Sequence, residues 1–588
     1  MKKTLLLAAL IGTACLAHAQ DTFTETPDHK TPIAEEWKGV KNMRAAWGTS
    51  DVRYDWHAMP DTKALKRSET LTAWRGERVS TQALIYSGVA TDSVAPVSFQ
   101  LSTFKNGRYT LPAEAVKAAF VRYVKTDAWS TPDGRGAGCG HRPDHTIYDS
   151  AMVADMIDPH AETIAMDAMS TRSVWVSCQV PADAAPGTYS GQLTIKAGKR
   201  TVAKLPLNIK VIDRTLPAPK DWAFHLDLWQ NPFAEARYYN TPLWSDAHLA
   251  AMRPSMEMLA AAGQKVITAS IMHKPWNGQT EDHFDSMVTW VKNLDGSWSF
   301  GFDVFDRWIE FMMSCGIDQI NCFSMIPWAL SFPYYDVATN RMQVLRAAPG
   351  DAAYEDMWVA MLKAFSKHLR AKGWFAITTI AMDERPMQAM QRAMAVIRKA
   401  DPEFKVSLAG NYHLEIEAGL YDYCIALDQG ELLPREVMER RKAEGKKTTV
   451  YTCCSTHRPN TFTFSVPAEG AWYGFYVAYS GYDGYLRWAY NSWTKHPLHD
   501  TRFRSWPAGD TYMVYPYGRS SVRFEKLIEG IQAHEKVRIL REEYEATGNT
   551  AAQAKLDELM NSFNFDSQHT EDFPTLISEG QQRINALK

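Results

Sequence analysis

Between Pro219 and about residue 542 the chain carries eight short apolar runs of strand length, separated by longer stretches with helical periods. The runs span residues 223–228, 265–270, 319–323, 376–382, 405–409, 423–426, 448–452 and 485–490. Helical stretches are expected at 246–262, 302–315, 353–372, 386–399 and 434–444. Alternation of this kind builds parallel βα units, because a parallel neighbour can be reached only through a crossover. Eight is the number of strands that closes a (β/α)8 barrel.

The segment before this region follows a different rule. From Asp21 to Pro217 short β-rich runs alternate with Pro/Gly turn signals, the pattern of a β-sandwich. Leu216-Pro217-Ala218-Pro219 reads as a linker, since paired prolines stiffen the chain and end strand pairing. After Ser521 charged residues share helical periods with Leu and Ile, which predicts the last barrel helix and a helical tail. The expected fold class is multidomain, β plus α/β: a signal peptide over 1–19, a sandwich over 20–217, a TIM-like barrel over 218–542 and a helical C-terminal tail over 543–588. A chain of 588 residues fits that count, at about 150 residues per domain.

Residues 1–19 have the order of a signal peptide: Lys2 and Lys3, an apolar run over 5–11, and Ala17-His18-Ala19 as a small-x-small cleavage site. Export to the periplasm or medium is the expectation. Anchoring through Cys15 is disfavoured, because Gly12 stands where a lipoprotein signal wants a large aliphatic residue. No later run approaches the roughly 18 apolar residues of a spanning helix. Cleavage leaves seven cysteines, at 139, 178, 315, 322, 424, 453 and 454, without a regular disulfide spacing or a C-x-x-C pair. They read mostly as buried thiols, with no structural metal and no cofactor.

Lys and Arg number 64 against 67 Asp and Glu, a net charge of -3, so no polybasic face is available for nucleic acid or anionic membranes. The aromatic content is high, with 20 Trp, 25 Tyr and 24 Phe. Such rings serve either as core or as platforms for the C–H faces of sugars.

Working residues of a barrel lie at the C-terminal ends of its strands. The fourth run ends in Met382-Asp383-Glu384-Arg385-Pro386, and this carboxylate pair is the sharpest chemical feature of the chain. It serves either catalysis or the dipole of the helix that follows. An acid and a nucleophile acting from opposite sides of an anomeric carbon stand about 5 Å apart or more. Adjacent residues meet that geometry poorly. They suit substrate-assisted hydrolysis, in which the sugar's 2-acetamido carbonyl attacks its own anomeric carbon. One carboxylate then holds the acetamide N–H and the other protonates the leaving oxygen.

Other candidates gather at the predicted rim. His225, Asp227 and Trp229 belong to the first strand; His273 and Trp276 follow the second; Trp328, Tyr334 and Tyr335 the third; Asn411, Tyr412 and His413 the fifth. The eighth contributes Arg487, Trp488, Tyr490, Asn491 and Trp493. The residues favoured for sugar contact are His225, Trp229, Tyr412, Trp488, Tyr490, Asn491 and Trp493. The glycine-rich run 134–138 lacks the G-x-G-x-x-G spacing, His534-Glu535 lacks the second histidine of H-E-x-x-H, and no G-x-S-x-G elbow occurs.

The segments VPADAAPGTYSG (180–191), TLP (215–217), MDE (382–384) and SVRFEKLIEG (521–530), in that order, make the chain resemble glycoside hydrolase family 123 over nearly its whole mature length. The resemblance implies an exo-acting, retaining, substrate-assisted β-N-acetylgalactosaminidase that removes terminal β-linked GalNAc from glycans such as those of glycosphingolipids. It implies Asp383 at the acetamide and Glu384 as acid/base. The continuation Gly530-Ile531-Gln532-Ala533-His534 departs from the acidic, Tyr-containing run of many relatives, away from the expected mouth. Two other readings stay open at this point: a β-N-acetylglucosaminidase of the same mechanism, and a non-catalytic glycan-binding surface protein.

Overall fold

The computed structural model describes residues 23–90, 95–136, 138–139, 148–430, 433–504 and 506–587. The signal-peptide and Cys15 expectations lie outside the described residues.

Two sheets face each other in the N-terminal half. One runs Arg44–Trp47, Arg78–Ser87, Ser170–Gln179, Val116–Thr126 and Ala151–Asp158 in spatial order, all antiparallel. The other is built on Arg200–Thr215, flanked by Glu69–Arg75 in parallel and Gly187–Ala197 in antiparallel pairing. Alternation decides which side faces inward: Leu205, Leu207, Ile209 and Val211 are buried, while Lys204, Pro206 and Lys210 are exposed. These residues meet Ile85, Phe120, Val174 and Val176 from the opposing sheet to form the sandwich core.

The first sheet is completed from far along the chain. Ser520–Ser521, just before the last barrel helix, adds an antiparallel edge strand against Met156 and Ile157. Buried ion pairs cross the same boundary. Asp155 of the sandwich takes Arg523 at 3.0 Å, Lys526 reaches Asp51 at 2.6 Å, and Lys536 reaches Glu77 at 2.5 Å. Removing one partner of such a pair leaves an uncompensated charge in low dielectric, so the two domains are held in a fixed relation.

The barrel strands, numbered here in chain order, are His225–Leu228 (β1), Val266–Ser270 (β2), Gln319–Phe323 (β3), Thr378–Met382 (β4), Lys405–Gly410 (β5), Asp422–Ala426 (β6), Lys447–Tyr451 (β7) and Gly484–Arg487 (β8). Seven neighbouring pairs are parallel ladders, in the order β1-β8-β7-β6-β5-β4-β3-β2. The eighth seam, between β1 and β2, has one backbone bridge, Leu226 with Gln264. Amide side chains complete it. Gln264 accepts from Leu228 N at 2.9 Å and donates to the Val266 carbonyl at 2.7 Å, and Gln230 accepts from Thr268 N at 2.9 Å. Glutamine carries both donor and acceptor, so it can stand in for a peptide group where two strands diverge.

The expected helices are present at Asp246–Ala260, Asp303–Cys315, Ala352–Lys372, Met387–Ala400 and Arg435–Ala443. Two large elements escaped the sequence reading, and one expected helix is longer than foreseen. A four-stranded sheet made of Thr289–Lys292, Trp298–Gly301, Ser331–Asp336 and Arg341–Arg346 is inserted after β2 and β3, and it absorbs Tyr334 and Tyr335. A buried helix, Ala468–Ser480, precedes β8. The last barrel helix, Val522–Thr547, runs past the expected boundary at 542 before Thr550–Asn561 and Phe573–Ala586 form the tail.

Helix Ala468–Ser480 crosses Val522–Thr547 backbone to backbone. A Cβ on Gly474 would lie 1.8 Å from the Gly530 carbonyl oxygen, which no rotamer change relieves. Gly474→Ala therefore lowers stability by about 1–3 kcal/mol, the range of core overpacking, through helix separation. The check is a lower denaturant midpoint for the variant.

Candidate active site

A cavity of about 250 Å3 opens at the C-terminal end of the barrel strands. Its wall includes Trp229 after β1, Trp276 after β2, Trp328 after β3, Asp383 and Glu384 after β4, Tyr451 at the end of β7, and Trp488 after β8. One further ring of the wall needs the tertiary fold. Trp506 comes from the long segment after β8, and its Nε1 donates to the Gln279 carbonyl at 3.0 Å. Trp229 and Trp276 stack with centroids 4.8 Å apart, while Trp488 meets Trp506 edge-on at 6.1 Å.

The two carboxylates sit in opposite environments. Asp383 is 7% exposed and its Oδ2 accepts from Arg385 Nη1 at 2.8 Å. Its Oδ1 is buried and makes no hydrogen bond to another of the described residues. Burial pushes the Asp383 carboxyl up to about 6; the Arg385 guanidinium opposes that rise and the Glu384 charge adds to it. Arg385 is itself fixed, donating to the carbonyls of Ile326 at 2.7 Å and Glu384 at 3.1 Å, with its guanidinium 3.9 Å above the Trp328 ring. Glu384 is exposed to the cavity, and Oε1 accepts the Tyr451 hydroxyl. Neither carboxylate caps the next helix or lies in its first turn: Met387–Ala400 starts after Pro386 with no side-chain cap.

This arrangement combines a sunken carboxylate, braced on one oxygen and open on the other, with a neighbour that reaches solvent. The first can accept a hydrogen bond from a group bound in the cavity. The second can exchange a proton at the cavity mouth. Among the described residues that line the cavity, these are the sole carboxylates.

Of the seven residues expected at the sugar, the structure brings two to the cavity, Trp229 and Trp488. Trp488 is oriented by its Nε1 donating to Asp510 Oδ2 at 3.1 Å, and Asp510 also binds Arg487 at 2.7 Å. The other five require correction. His225 begins β1, at the N-terminal end of the barrel, where it pairs with Asp422 at 2.9 Å. Tyr490 is fully buried and donates to the Ser255 carbonyl at 2.8 Å. Asn491 spends its amide on Glu235 at 2.9 Å and on Asn231 N at 2.8 Å. Trp493 packs against Tyr238 and donates to the Val514 carbonyl. Tyr412, half-buried beyond β5, packs on the barrel core and does not line the cavity. The reason is common to Tyr490, Asn491 and Trp493: β8 ends at Arg487, not at residue 490, so the alternation read through 493 has no strand to act on.

Residues missed from the sequence are Arg385, Tyr451, Gln279, Trp506 and three cysteines. Tyr451 carried a usable signal, as the penultimate residue of the barrel strand predicted over 448–452. Cys139 and Cys454 are joined by a disulfide across 315 residues of sequence, contrary to the expectation of thiols, and Cys453 lines the cavity beside them. Burial pushes the Cys453 thiol up to about 12. Cys178, Cys322 and Cys424 are buried thiols.

A (β/α)8 barrel with a carboxylate pair at the end of β4 and an aromatic cavity above it has the form of a glycoside hydrolase. Residues 229–540 match the model of the glycoside hydrolase 123 catalytic domain, and 47–197 match the glycoside hydrolase 123 N-terminal domain. The chain belongs to glycoside hydrolase family 123. It is similar over 93% of its length, at 25% identity and a TM-score of 0.82, to 97% of a family 123 enzyme from Clostridium perfringens described in terms of glycolipid glycan hydrolysis. A family 39 glycoside hydrolase from Bacteroides cellulosilyticus aligns with 79% of this chain and 82% of its own, at 8% identity and a TM-score of 0.33. No curated protein matches the chain. No helix among the described residues is long and apolar enough to cross a membrane.

Proposed function

We propose that this glycosidase is a retaining, exo-acting β-N-acetylgalactosaminidase that uses the substrate's own acetamide as nucleophile. The observation that carries this reading is the pairing of two adjacent, unlike carboxylates in a cavity whose described lining offers no third. The acetamide carbonyl closes on the anomeric carbon from below the ring. Asp383 Oδ1, buried and open, accepts the acetamide N–H, and the carboxylate charge offsets the positive charge that spreads onto nitrogen as the oxazolinium ring forms. Glu384 gives its proton to the departing oxygen, then takes one from the water that reopens the ring. Two inversions leave the configuration at the anomeric carbon unchanged. Trp229, Trp276 and Trp488 supply flat apolar faces against which a sugar ring can rest.

Three other carboxylates near barrel-strand ends, Asp227, Asp428 and Asp483, are poorly placed to act as nucleophile. Asp227 lies inside the barrel below the cavity, within reach of Asn321 at 3.3 Å; Asp428 is exposed beyond β6; the Asp483 carboxylate accepts from Thr448 N at the N-terminal end of β7. The preference for GalNAc rests on family membership, and the glycolipid work on the Clostridium relative supports glycolipid glycans as a substrate class. Export rests on the pattern of residues 1–19, and a long-range disulfide fits an oxidising compartment.

The test compares aryl β-glycosides that differ only at carbon 2. The 2-acetamido galactoside is expected to turn over, the 2-hydroxy galactoside to be inert, and a stable ring-closed acetamide mimic to bind far more tightly than substrate. Comparable kcat/KM for both glycosides, or a sugar trapped covalently on Asp227 or Asp428, would overturn the mechanism. Faster turnover of the 2-acetamido glucoside would reassign the sugar while leaving the chemistry.

A further inference from the structure

Three sulfurs converge on the cavity wall, and the hydrolysis reaction uses none of them. The Sγ atoms of Cys139, Cys453 and Cys454 all lie within 4.8 Å of one another. Cys453 and Cys454 follow β7, two and three residues beyond Tyr451, whose hydroxyl holds Glu384. Cys139 arrives from the N-terminal domain.

Both sides of this cluster are pinned by contacts other than the disulfide. The segment leading to Cys139 is fastened where Trp129 stacks on His457, centroids 4.7 Å apart and planes within 10°, and where the Tyr148 hydroxyl donates to the Gly136 carbonyl at 2.9 Å. On the barrel side, Asn460 Nδ2 donates to the Cys453 carbonyl at 2.9 Å, and Asn460 Oδ1 accepts from the buried Arg487 at 2.7 Å. Opening the disulfide then presents three thiols at one wall of the cavity. Sulfurs around a tetrahedral thiolate-bound cation stand about 3.8 Å apart, so side-chain adjustments of about 1 Å suffice.

We propose that reduction of Cys139–Cys454 converts this wall into a three-thiolate site for a soft divalent cation, and that the bound cation shuts the catalytic cavity. The reductant is an external dithiol or phosphine. The dithiol closes to its own disulfide, or the phosphine takes the oxygen of one water to become the phosphine oxide; in either case two electrons break the S–S bond and the two protons released by the dithiol or the water complete the thiols. Cation binding then releases the three thiol protons, because the metal charge favours thiolate over thiol. Thiolates select soft cations over Mg2+ or Ca2+, which prefer oxygen. A cation held there sits beside Tyr451 and Glu384, and it both narrows the cavity and offers Glu384 a competing positive partner.

Cadmium is the probe, since thiolate-to-cadmium charge transfer gives an ultraviolet band. The full-length protein, reduced with a phosphine that is then removed, is expected to bind one equivalent with a three-thiolate band; the oxidised protein shows none. Cys453→Ser should weaken binding by about a hundredfold, at least the loss seen when an outer-shell partner is removed. Cys315→Ser, at a distant half-buried thiol, should leave the band unchanged. Aryl glycoside hydrolysis by the reduced protein is expected to fall at one equivalent and return with a chelator. An absent band, an unaltered affinity in Cys453→Ser, or loss of near-ultraviolet circular dichroism on reduction alone would each overturn the proposal. The binding arm reads absorbance, so it stands or falls separately from the substrate assignment.

Discussion

Glu384→Gln is expected to cut hydrolysis of natural glycans by about 10²- to 10⁴-fold, the contribution of a positioned general acid. Glutamine keeps the side-chain length and can still receive the Tyr451 hydroxyl through its amide oxygen, so the change isolates the proton. The loss should depend on the leaving group. An alkoxide or sugar must be protonated as it departs, whereas a dinitrophenolate leaves without help, and its release from Glu384→Gln should be much closer to normal. Pre-steady-state release of the phenolate separates this step from the later opening of the intermediate, for which Glu384 is also the proposed base. Equal losses on both substrates would remove Glu384 from the acid role and leave it a binding residue.

Asp383→Asn should lower kcat by about 10²-fold or more, the effect of removing one preorganised electrostatic group. The asparagine retains the shape but cannot carry charge, and it leaves Arg385 buried without its partner. Part of the loss could then come from misplacement of Arg385, so the pH profile is the sharper measurement. Burial raises the Asp383 carboxyl to about 6, above its ordinary value, and the mechanism needs the ionised form. Activity is therefore full above that value and falls as pH drops through it. An acid limb of kcat/KM near pH 6 in the wild type, absent from Asp383→Asn, is the expected pair of results. A limb that survives the substitution belongs to another group.

The barrel was legible from sequence because its signals are local. Each strand of β2 to β7 is an apolar run bounded by turn residues, and the observed ends fall within two residues of those expected. The carboxylate pair was legible for the same reason: the end of a barrel strand is the mouth of the cavity, so a position along the chain translates directly into a position in space. Where a strand end was misplaced, the translation failed. Three residues beyond Arg487 were enough to turn Tyr490 and Asn491 from expected sugar contacts into buried supports, Tyr490 of helix Asp246–Ala260 and Asn491 of the β1 loop.

Sequence alone thus determined the order of domains, the eight-stranded barrel and the identity of its two carboxylates, since each depends on hydrophobic period and turn chemistry within a few residues. Tertiary structure alone decided how those carboxylates differ. The burial of Asp383 against Arg385, the exposure of Glu384 beside Tyr451, the arrival of Trp506 and the joining of Cys139 to Cys454 all depend on segments tens to hundreds of residues apart. Charge state and cavity shape are set by what lies within a few ångströms in space, and no local period records which distant segment that will be.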